Sequence, residues 1–353
     1  MKNLFEELIM TLNNDFLAKL TYYCENGYVR KSAHPVWSLW IYNYTPKTTF
    51  EERWDEVTLN TRGLIIGYDI IKHEFYTCIQ GPKKFFNKEE KWSAKFDISH
   101  SIISEKLDGY YISIKLEPRL GLVISSRGSF CNKYTEAVEK LITEPIRRQI
   151  QPNIQYFCEL LQDFPEDAGI IVTKHPIPRL VCWAMRGEDG KEIIPTKENC
   201  PFEVAQKMTF EESKKYLTNQ VEGVVAYNPK TSERVKIKTE WFLETHRLIS
   251  NCTPQRVWEL CKNGDRVEDL DIPNEFMEQM LSWQTILNDL VEFEYQKLLS
   301  LEDKYSSYTD KELGLSNLDL YTKGQIFNIR KDRISAVFDK IYLYKKDEFL
   351  EKC

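Results

Sequence analysis

Paired cysteines of the metal-binding kind are missing from this chain. Its nine cysteines include no Cys-x-x-Cys pair, and no histidine spacing suits zinc. A structural zinc site and a disulfide scaffold are therefore not expected, and reduced thiols in a cytosolic setting fit best. Long apolar runs are missing as well, since none approaches the roughly 20 residues of a membrane span. Met1 to Leu12 shows no basic segment followed by an uninterrupted apolar stretch, so neither a leader peptide nor a membrane partner is expected. An excess of positive charge is absent too. The net charge of −6 argues against a generally basic coat for nucleic acid. No internal repeat and no low-complexity tract is present.

What the chain does have is a large apolar fraction. Of 353 residues, 42% are hydrophobic and 13% aromatic, enough for two domains or one large domain with an appendage. Charge is unevenly spread. Residues 251–353 hold 14 Lys+Arg against 20 Asp+Glu, which leaves 34 of each in residues 1–250. A phosphate-binding surface in the first part must then be a local groove.

Periodicity divides the chain in the same way. Residues 2–22 have helical spacing at Leu4, Phe5, Leu8, Leu12, Phe16 and Leu20. Strands are expected at Val36 to Tyr44, Arg62 to Gly67 and Glu74 to Ile79, followed by a helical charged piece after Asn87. Ser101 to Lys106, Tyr111 to Leu116 and Leu122 to Ser126 read as an antiparallel meander, and Tyr134 to Ile150 as helical. Further strands are expected at Gln155 to Leu160, Gly169 to Thr173, Leu180 to Met185, Val221 to Tyr227 and Arg234 to Lys238, with a helix near Phe202 to Tyr216. After Trp241 no strand run is evident. Thr253-Pro254 and Ile272-Pro273 read as helix starts, and apolar stripes from Phe276 to Leu298 and from Ile326 to Tyr344 each mark one helix. The fold class is α+β: a mixed, largely antiparallel sheet domain at 1–250 and a small all-helical domain at 251–353.

The chemistry gathers around Lys106-Leu107-Asp108-Gly109. An amine stands at a strand end, with Glu105 and Asp108 beside it and a glycine that lets backbone approach a ligand. Downstream come Arg127 at the close of a strand, Glu159 inside an apolar strand, Trp183 in another, Glu222 among β-branched residues, and Lys236 and Lys238 alternating onto one face. Each has a plain structural explanation when taken alone: a solvated lysine before a turn, a strand glutamate paired with arginine, a solvated face. Lone strand carboxylates and strand-end cations recurring in one order point instead to one site, because buried charges are costly unless paired or metal-bound.

In this order the pieces resemble the covalent nucleotidyltransferase superfamily of polynucleotide ligases and messenger RNA capping enzymes. More narrowly the chain resembles the RNA ligase 1 family typified by the enzyme of T-even bacteriophages. Tyr42-Asn43-Tyr44, Arg62-Gly63, Lys84-Phe85-Phe86-Asn87 and Val235 to Phe242 carry the narrower likeness, which spans residues 36–245. The helical tail agrees in character only. The family often carries lysine where Ser125 stands, and Asn-Arg where Ala168-Gly169 stand.

The resemblance implies an ATP-grasp-like ligase domain that joins RNA 5′-phosphate and 3′-hydroxyl ends. Lys106 would take AMP from ATP and pass it to the RNA, with Mg²⁺ or Mn²⁺ assisting. It implies Lys106, Asp108, Lys236 and Lys238 as catalytic residues. Tyr42, Arg62, Lys84, Glu105, Arg127, Glu159, Trp183 and Glu222 would join the three lysines in binding the nucleotide, with Glu222 and Glu159 as metal ligands. A cytoplasmic monomer acting on cleaved transfer RNA, phage- or virus-encoded, is the expectation by analogy. A DNA ligase, a GTP-using capping enzyme and a non-catalytic RNA binder are the alternatives. The first two usually continue into an OB-fold barrel, for which the tail has no strand pattern.

Overall fold

The protein is described from a computed structural model that covers residues 12–164, 167, 171–270, 272 and 274–353. It is α+β, with antiparallel and mixed sheets and a helical C-terminal region. The chain forms two compact units, Met1–Leu243 and Glu244–Cys353.

In the first unit, Asn14–Glu25 is helical because the Asn13 side chain accepts the Phe16 N–H at its start, and the left-handed Gly27 (φ 73°) lets the chain turn beyond it. The expected helical positions Leu4, Phe5 and Leu8 lie outside the described residues. Strands β1 (Val29–Ala33), β2 (Leu39–Tyr44), β3 (Arg62–Asp69) and β4 (Glu74–Ile79) form an antiparallel sheet in that order. β5 (Phe86–Asn87) and β6 (Ile102–Lys106) belong elsewhere. The central sheet takes β7 (Tyr110–Glu117), β8 (Gly121–Ser126), β9 (Ile154–Leu161), β10 (Arg179–Gly187) and β11 (Glu192–Ile193) in the order β11-β10-β9-β7-β8. β12 (Glu203–Val204) runs parallel to β10. The third sheet adds β13 (Lys207–Met208), β14 (Gly223–Asn228) and β15 (Glu233–Lys238) in the order β13-β6-β14-β15-β5. Its β15–β5 pair is parallel and the rest antiparallel.

Packing follows the alternation of apolar side chains. One face of the first sheet (Leu39, Ile41, Ile65, Ile79) meets Tyr111, Val123, Phe157 and Ala184 of the central sheet, and its other face (Val29, Tyr42, Leu64, Ile66) takes Phe16 and Leu20 of the helix. The far face of the central sheet packs on Lys133–Leu141 through Ala137 and Val138. Ile103, Val224, Ala226 and Val235 cover one face of the third sheet.

Several expectations are corrected. The helix expected near Phe202 to Tyr216 begins only at Phe210, after β12 and β13, where Thr209 caps it, and Tyr134 to Ile150 holds two helices, Lys133–Leu141 and Glu144–Arg147. β6, β7 and β8 do not make one meander, because β6 leaves the central sheet to pair with β14. Leu107-Asp108-Gly109 is a crossing between sheets, in which the Asp108 carboxylate takes the backbone N–H of Val172 and Thr173 at 2.7 and 2.8 Å. A Cβ at Gly109 would lie 2.7 Å from the Leu160 carbonyl oxygen. The segment after Asn87 is not helical: the Glu90 carboxylate accepts the Asn87 N–H and closes a turn. The stripe from Ile326 to Tyr344 is two helices, Leu320–Arg330 and Ile334–Tyr344, split where Asp332 turns left-handed (φ 54°). The strand expected at Gly169 to Thr173 starts outside the described residues, as does Pro273.

The second unit has no strand among the described residues. Pro254–Asn263, Asn274–Lys304 and the last helices close on Val257, Met280, Leu287, Leu298, Val337, Ile341 and Phe349. Thr253 caps the first of these through the Arg256 N–H. Glu294, 1% exposed on the long helix, is offset by Lys345 at 3.2 Å. No helix among the described residues is long and apolar enough to cross a membrane.

Candidate active site

The register of the third sheet sets out the site. Antiparallel pairing of β6, β14 and β15 puts Lys106, Gly223 and Lys238 in one row, Ser104, Val225 and Lys236 in the next, and Ile102, Tyr227 and Arg234 in a third. Side chains two apart share a face. One face of this sheet is therefore apolar, and the other presents Lys106, Lys236, Lys238 and Arg234 to a cavity of about 250 Å³.

Glu222 stands beside the first row. Its carboxylate is 5% exposed and lies 2.6 Å from the Lys106 amine and 3.0 Å from that of Lys238. Gly223 makes this possible. It has φ +148°, and a Cβ there would fall 2.0 Å from the Ile237 carbonyl oxygen, so a side chain cannot be accommodated without parting β14 from β15. Lys236 has no such carboxylate within 4.0 Å among the described residues. Burial, then Lys84, Lys106, Arg62 and Lys238, push its amine down to about 7. Burial likewise lowers Lys84.

The central sheet supplies the opposite wall. Glu159 sits on β9 between Tyr111 and Val181. Burial raises it to about 7, against the pull of Lys106 and Arg62. On β10 the register slips between Cys182 and Ala184, leaving Trp183 as the extra residue of a bulge. Such a bulge re-aims a side chain. Cys182 faces the far core, whereas Trp183 and Ala184 both line the cavity. A second bulge acts on the first sheet. Asn43 pairs with Arg62, and Tyr42 with Leu64, so Gly63 is extra at φ +74°. Leu64 stays on the helix side while Arg62 turns to the cavity, its guanidinium 5.4 Å from the Phe85 ring and 5.0 Å from that of Tyr111. Arg62 Nη1 and Trp183 Nε1 are buried donors without a hydrogen-bond partner among the described residues. Orphaned donors on a cavity wall are what an acceptor-rich ligand would satisfy.

Of the residues singled out in the sequence, Arg62, Lys84, Glu105, Lys106, Arg127, Glu159, Trp183, Lys236 and Lys238 line the cavity, with Glu222 behind Lys106. Glu105 is engaged elsewhere through its carboxylate, which accepts the Gln206 N–H at 2.8 Å and the Tyr216 hydroxyl at 3.3 Å. Besides Glu222, two residues are not on the lining. Asp108 braces the backbone at 172–173, and burial is the main cause raising its carboxyl. Tyr42 packs against the N-terminal helix, where burial lifts its phenol to about 12. Tyr44, at the end of the same strand, is on the cavity instead.

Arg234 and Glu192 also line the cavity and were not singled out. Arg234 lies 4.2 Å from the Tyr227 ring and 5.6 Å from that of Trp183. It is held by Glu192, which Arg186 also contacts at 3.1 Å. Burial opposes ionisation of Glu192, and the two arginines more than offset it. The alternation of Lys236 and Lys238 extends back to Arg234, a signal that was available. Nothing in the sequence marks Glu192, whose strand is two residues long.

No group of three or more His, Cys, Asp or Glu side chains is arranged to hold a metal among the described residues. The two carboxylates Glu222 and Glu159 nevertheless fit Mg²⁺ or Mn²⁺, which bind through one or two carboxylates with substrate phosphates and water completing the shell. Glu159 lines the cavity and has no cation within 4.0 Å among the described residues.

No family model and no curated protein matches the chain. Among solved structures it is similar to an archaeal ATP-dependent RNA ligase, with TM-score 0.48 and 13% identity over 75% of this chain and 74% of that one. It is similar to a putative ATP-dependent DNA ligase from Aquifex aeolicus, with TM-score 0.43 and 14% identity over 83% and 80%. An RNA ligase of Naegleria gruberi solved with ATP and Mn is similar at TM-score 0.31 and 12% identity, over 42% and 51%. These likenesses are remote, and the functional reading rests on the site itself.

Proposed function

We propose that this protein is an ATP-dependent RNA ligase that seals 5′-phosphate to 3′-hydroxyl ends through lysyl-AMP and RNA-adenylate intermediates, in the repair of broken RNA such as cleaved transfer RNA. The observation that carries this reading is the row Lys106–Gly223–Lys238, with Glu222 behind it and Lys236 beside it, facing one cavity. An amine at the strand end, surrounded by cations in excess of carboxylates, suits attack on a polyphosphate.

In the first step the Lys106 amine bonds to the α-phosphorus of ATP, the bond to pyrophosphate breaks, and the amine loses a proton. Glu222 is the carboxylate beside it, at 2.6 Å. The ion pair has to open for this, since the nitrogen lone pair must be free. Lys236 and Lys238, on the same face, offset charge on the transferred phosphoryl group. Next, an oxygen of the RNA 5′-phosphate displaces Lys106 from the AMP phosphorus. Last, the 3′-hydroxyl attacks that 5′-phosphate, AMP leaves and a phosphodiester remains. Mg²⁺ or Mn²⁺ held by Glu222 and Glu159 would supply Lewis-acid stabilisation of the phosphate charge.

The helical C-terminal unit, with no strand among its described residues, favours this reading over a DNA ligase or capping enzyme with an OB-fold. The test is incubation with radiolabelled ATP or GTP and magnesium, followed by denaturation. Label from ATP that Lys106→Ala abolishes is expected, while the same variant still seals pre-adenylated RNA weakly. Label from GTP alone would indicate capping chemistry, and no label from either would leave a binding protein. Sealing rates on broken stem-loops, single strands and nicked DNA duplexes then define the substrate.

A further inference from the structure

The first sheet carries a cationic row that the nucleotide cavity does not use up. Arg30 on β1 pairs with Asn43 on β2, and Asn43 pairs with Arg62 on β3. Cross-strand partners share a face. The neighbour Val29 packs on the opposite, helix-covered face, and Lys31 lies over Trp40 and Tyr42. The row thus runs from exposed Arg30 through half-buried Asn43 to Arg62 at the cavity.

Two further features shape it. Arg127 lies at the cavity, and the next residue, Gly128, leaves space that the Arg30 guanidinium occupies: a Cβ there would be 3.0 Å from Arg30 Nη2 and 3.8 Å from Asn43 Cβ. Arg62 Nη1 is a buried donor with no hydrogen-bond partner among the described residues, and Asn43 is its cross-strand neighbour in the row. Moreover, none of Arg30, Arg62, Lys84, Arg127 and Lys236 has a carboxylate within 4.0 Å among the described residues, whereas Lys106 and Lys238 share Glu222. Glu222 and Glu192 meet their own cations, and the remaining lining carboxylates, Glu159 and Glu105, are fewer than Arg62, Lys84, Arg127 and Lys236, so a positive excess remains. A run of unpaired cations leading out from a phosphate-handling cavity matches an anion longer than one nucleotide.

We propose that Arg30 and Asn43, with Arg127 at the cavity itself, form a phosphate subsite leading out of the nucleotide cavity, taking a backbone phosphate of the single strand whose 5′ end enters at Arg62. This rests on the ligase reading above. The same cations would suit the triphosphate tail of the nucleotide, and the two sources separate by experiment.

The probe is a 5′-phosphorylated, 3′-dye-labelled single-stranded oligoribonucleotide, titrated by fluorescence anisotropy over a range of potassium chloride. Parent, Arg30→Gln and Gly128→Ala proteins are compared, and label uptake from ATP is measured on each. Arg30 is an exposed residue on an edge strand, and the contact at Gly128 is with the far end of a flexible side chain, so both variants should fold. Arg30→Gln is expected to weaken strand binding about three- to tenfold and to lower the slope of log affinity against log salt by about 0.7, the value for one lost phosphate contact on a single strand. Gly128→Ala, which pushes the guanidinium aside, should move in the same direction by less. The loss of strand affinity should exceed any loss of label uptake. An unchanged salt slope in Arg30→Gln overturns the subsite, as does a loss confined to ATP labelling, which would assign Arg30 to the triphosphate. If the parent takes no label from ATP yet Arg30→Gln loses strand affinity with the lower slope, the ligase reading fails and the subsite stands.

Discussion

Replacing Lys236 by methionine should make the protein more stable and its chemistry worse. The Lys236 amine is pushed from 10.5 to about 7 by burial and then by Lys84, Lys106, Arg62 and Lys238. At about 1.36 kcal/mol per pH unit, that drop is on the order of 4 to 5 kcal/mol of preference for the neutral amine. Solvent reaching the side chain through the cavity trims this to about 3 kcal/mol. Between pH 7 and 10.5 the unfolded chain holds a proton that the native protein has released, so native stability from this group rises with pH. Below about pH 7 both states are protonated, and the destabilisation is at its full size. Methionine keeps an unbranched chain only one atom shorter and removes the charge. Lys236→Met should therefore gain about 3 kcal/mol at pH 6, with the gain shrinking towards pH 10. Urea denaturation of parent and variant at matched pH values reads the difference directly, because other titrating groups cancel. Labelling by ATP should meanwhile fall by about 10²- to 10³-fold, as on removal of a preorganised charge-stabilising donor. A variant less stable than the parent at pH 6, or a gain that does not change with pH, would refute the reasoning.

Glu159→Gln should act with the opposite pH sense. Its native value of about 7 lies above the ordinary 4.5, so the native protein holds a proton between those values that the unfolded chain lacks, and stability falls as pH rises through that window. The glutamine variant should lose this decline and, with partial access to the cavity, be about 2 kcal/mol more stable than the parent at pH 8; a pH profile identical to the parent's would count against the assignment. Glu222→Gln should cost about 3 kcal/mol in urea unfolding, because it strips the shared partner from Lys106 and Lys238. A loss below 0.5 kcal/mol would mean that the ion pairs carry no weight. Gly223→Ala should cost about 4 kcal/mol or more, visible as loss of soluble protein or a large drop in Tm, since the methyl group meets the Ile237 carbonyl oxygen.

The sequence made parts of the site legible because strand alternation is local. Lys236 and Lys238 are two apart, and the structure has both on the cavity face. Glu222 next to Gly223 could be singled out as a carboxylate among β-branched residues. Alternation fails, however, wherever a bulge changes its phase. Gly63 turns Arg62 away from the face of Leu64, and Trp183 joins Ala184 on one side, neither of which follows from counting. Tyr42 and Tyr44 were indistinguishable by type, and only packing against the N-terminal helix separates them. The parting of β6 from β7 was hidden because an Asp-Gly pair reads as a hairpin turn, while the contacts that pull the strands apart come from backbone at 160 and 172–173. The expected helix after Asn87 gave way to a turn in which the Glu90 carboxylate accepts hydrogen bonds from the Asn87 backbone and side-chain N–H groups.

The row that joins Lys106 to Lys238 through Gly223 has a temporal consequence. β6 is made early and β14 and β15 late, yet all three must pair before Glu222 can hold both lysines at once. Pairings between distant parts of a chain form slowly, because loop closure comes before the contacts that reward it. A nascent chain still short of β15 therefore carries the lysine of the early strand without the pocket that would direct it. The third sheet can therefore close around that lysine only once the last of its strands has been made.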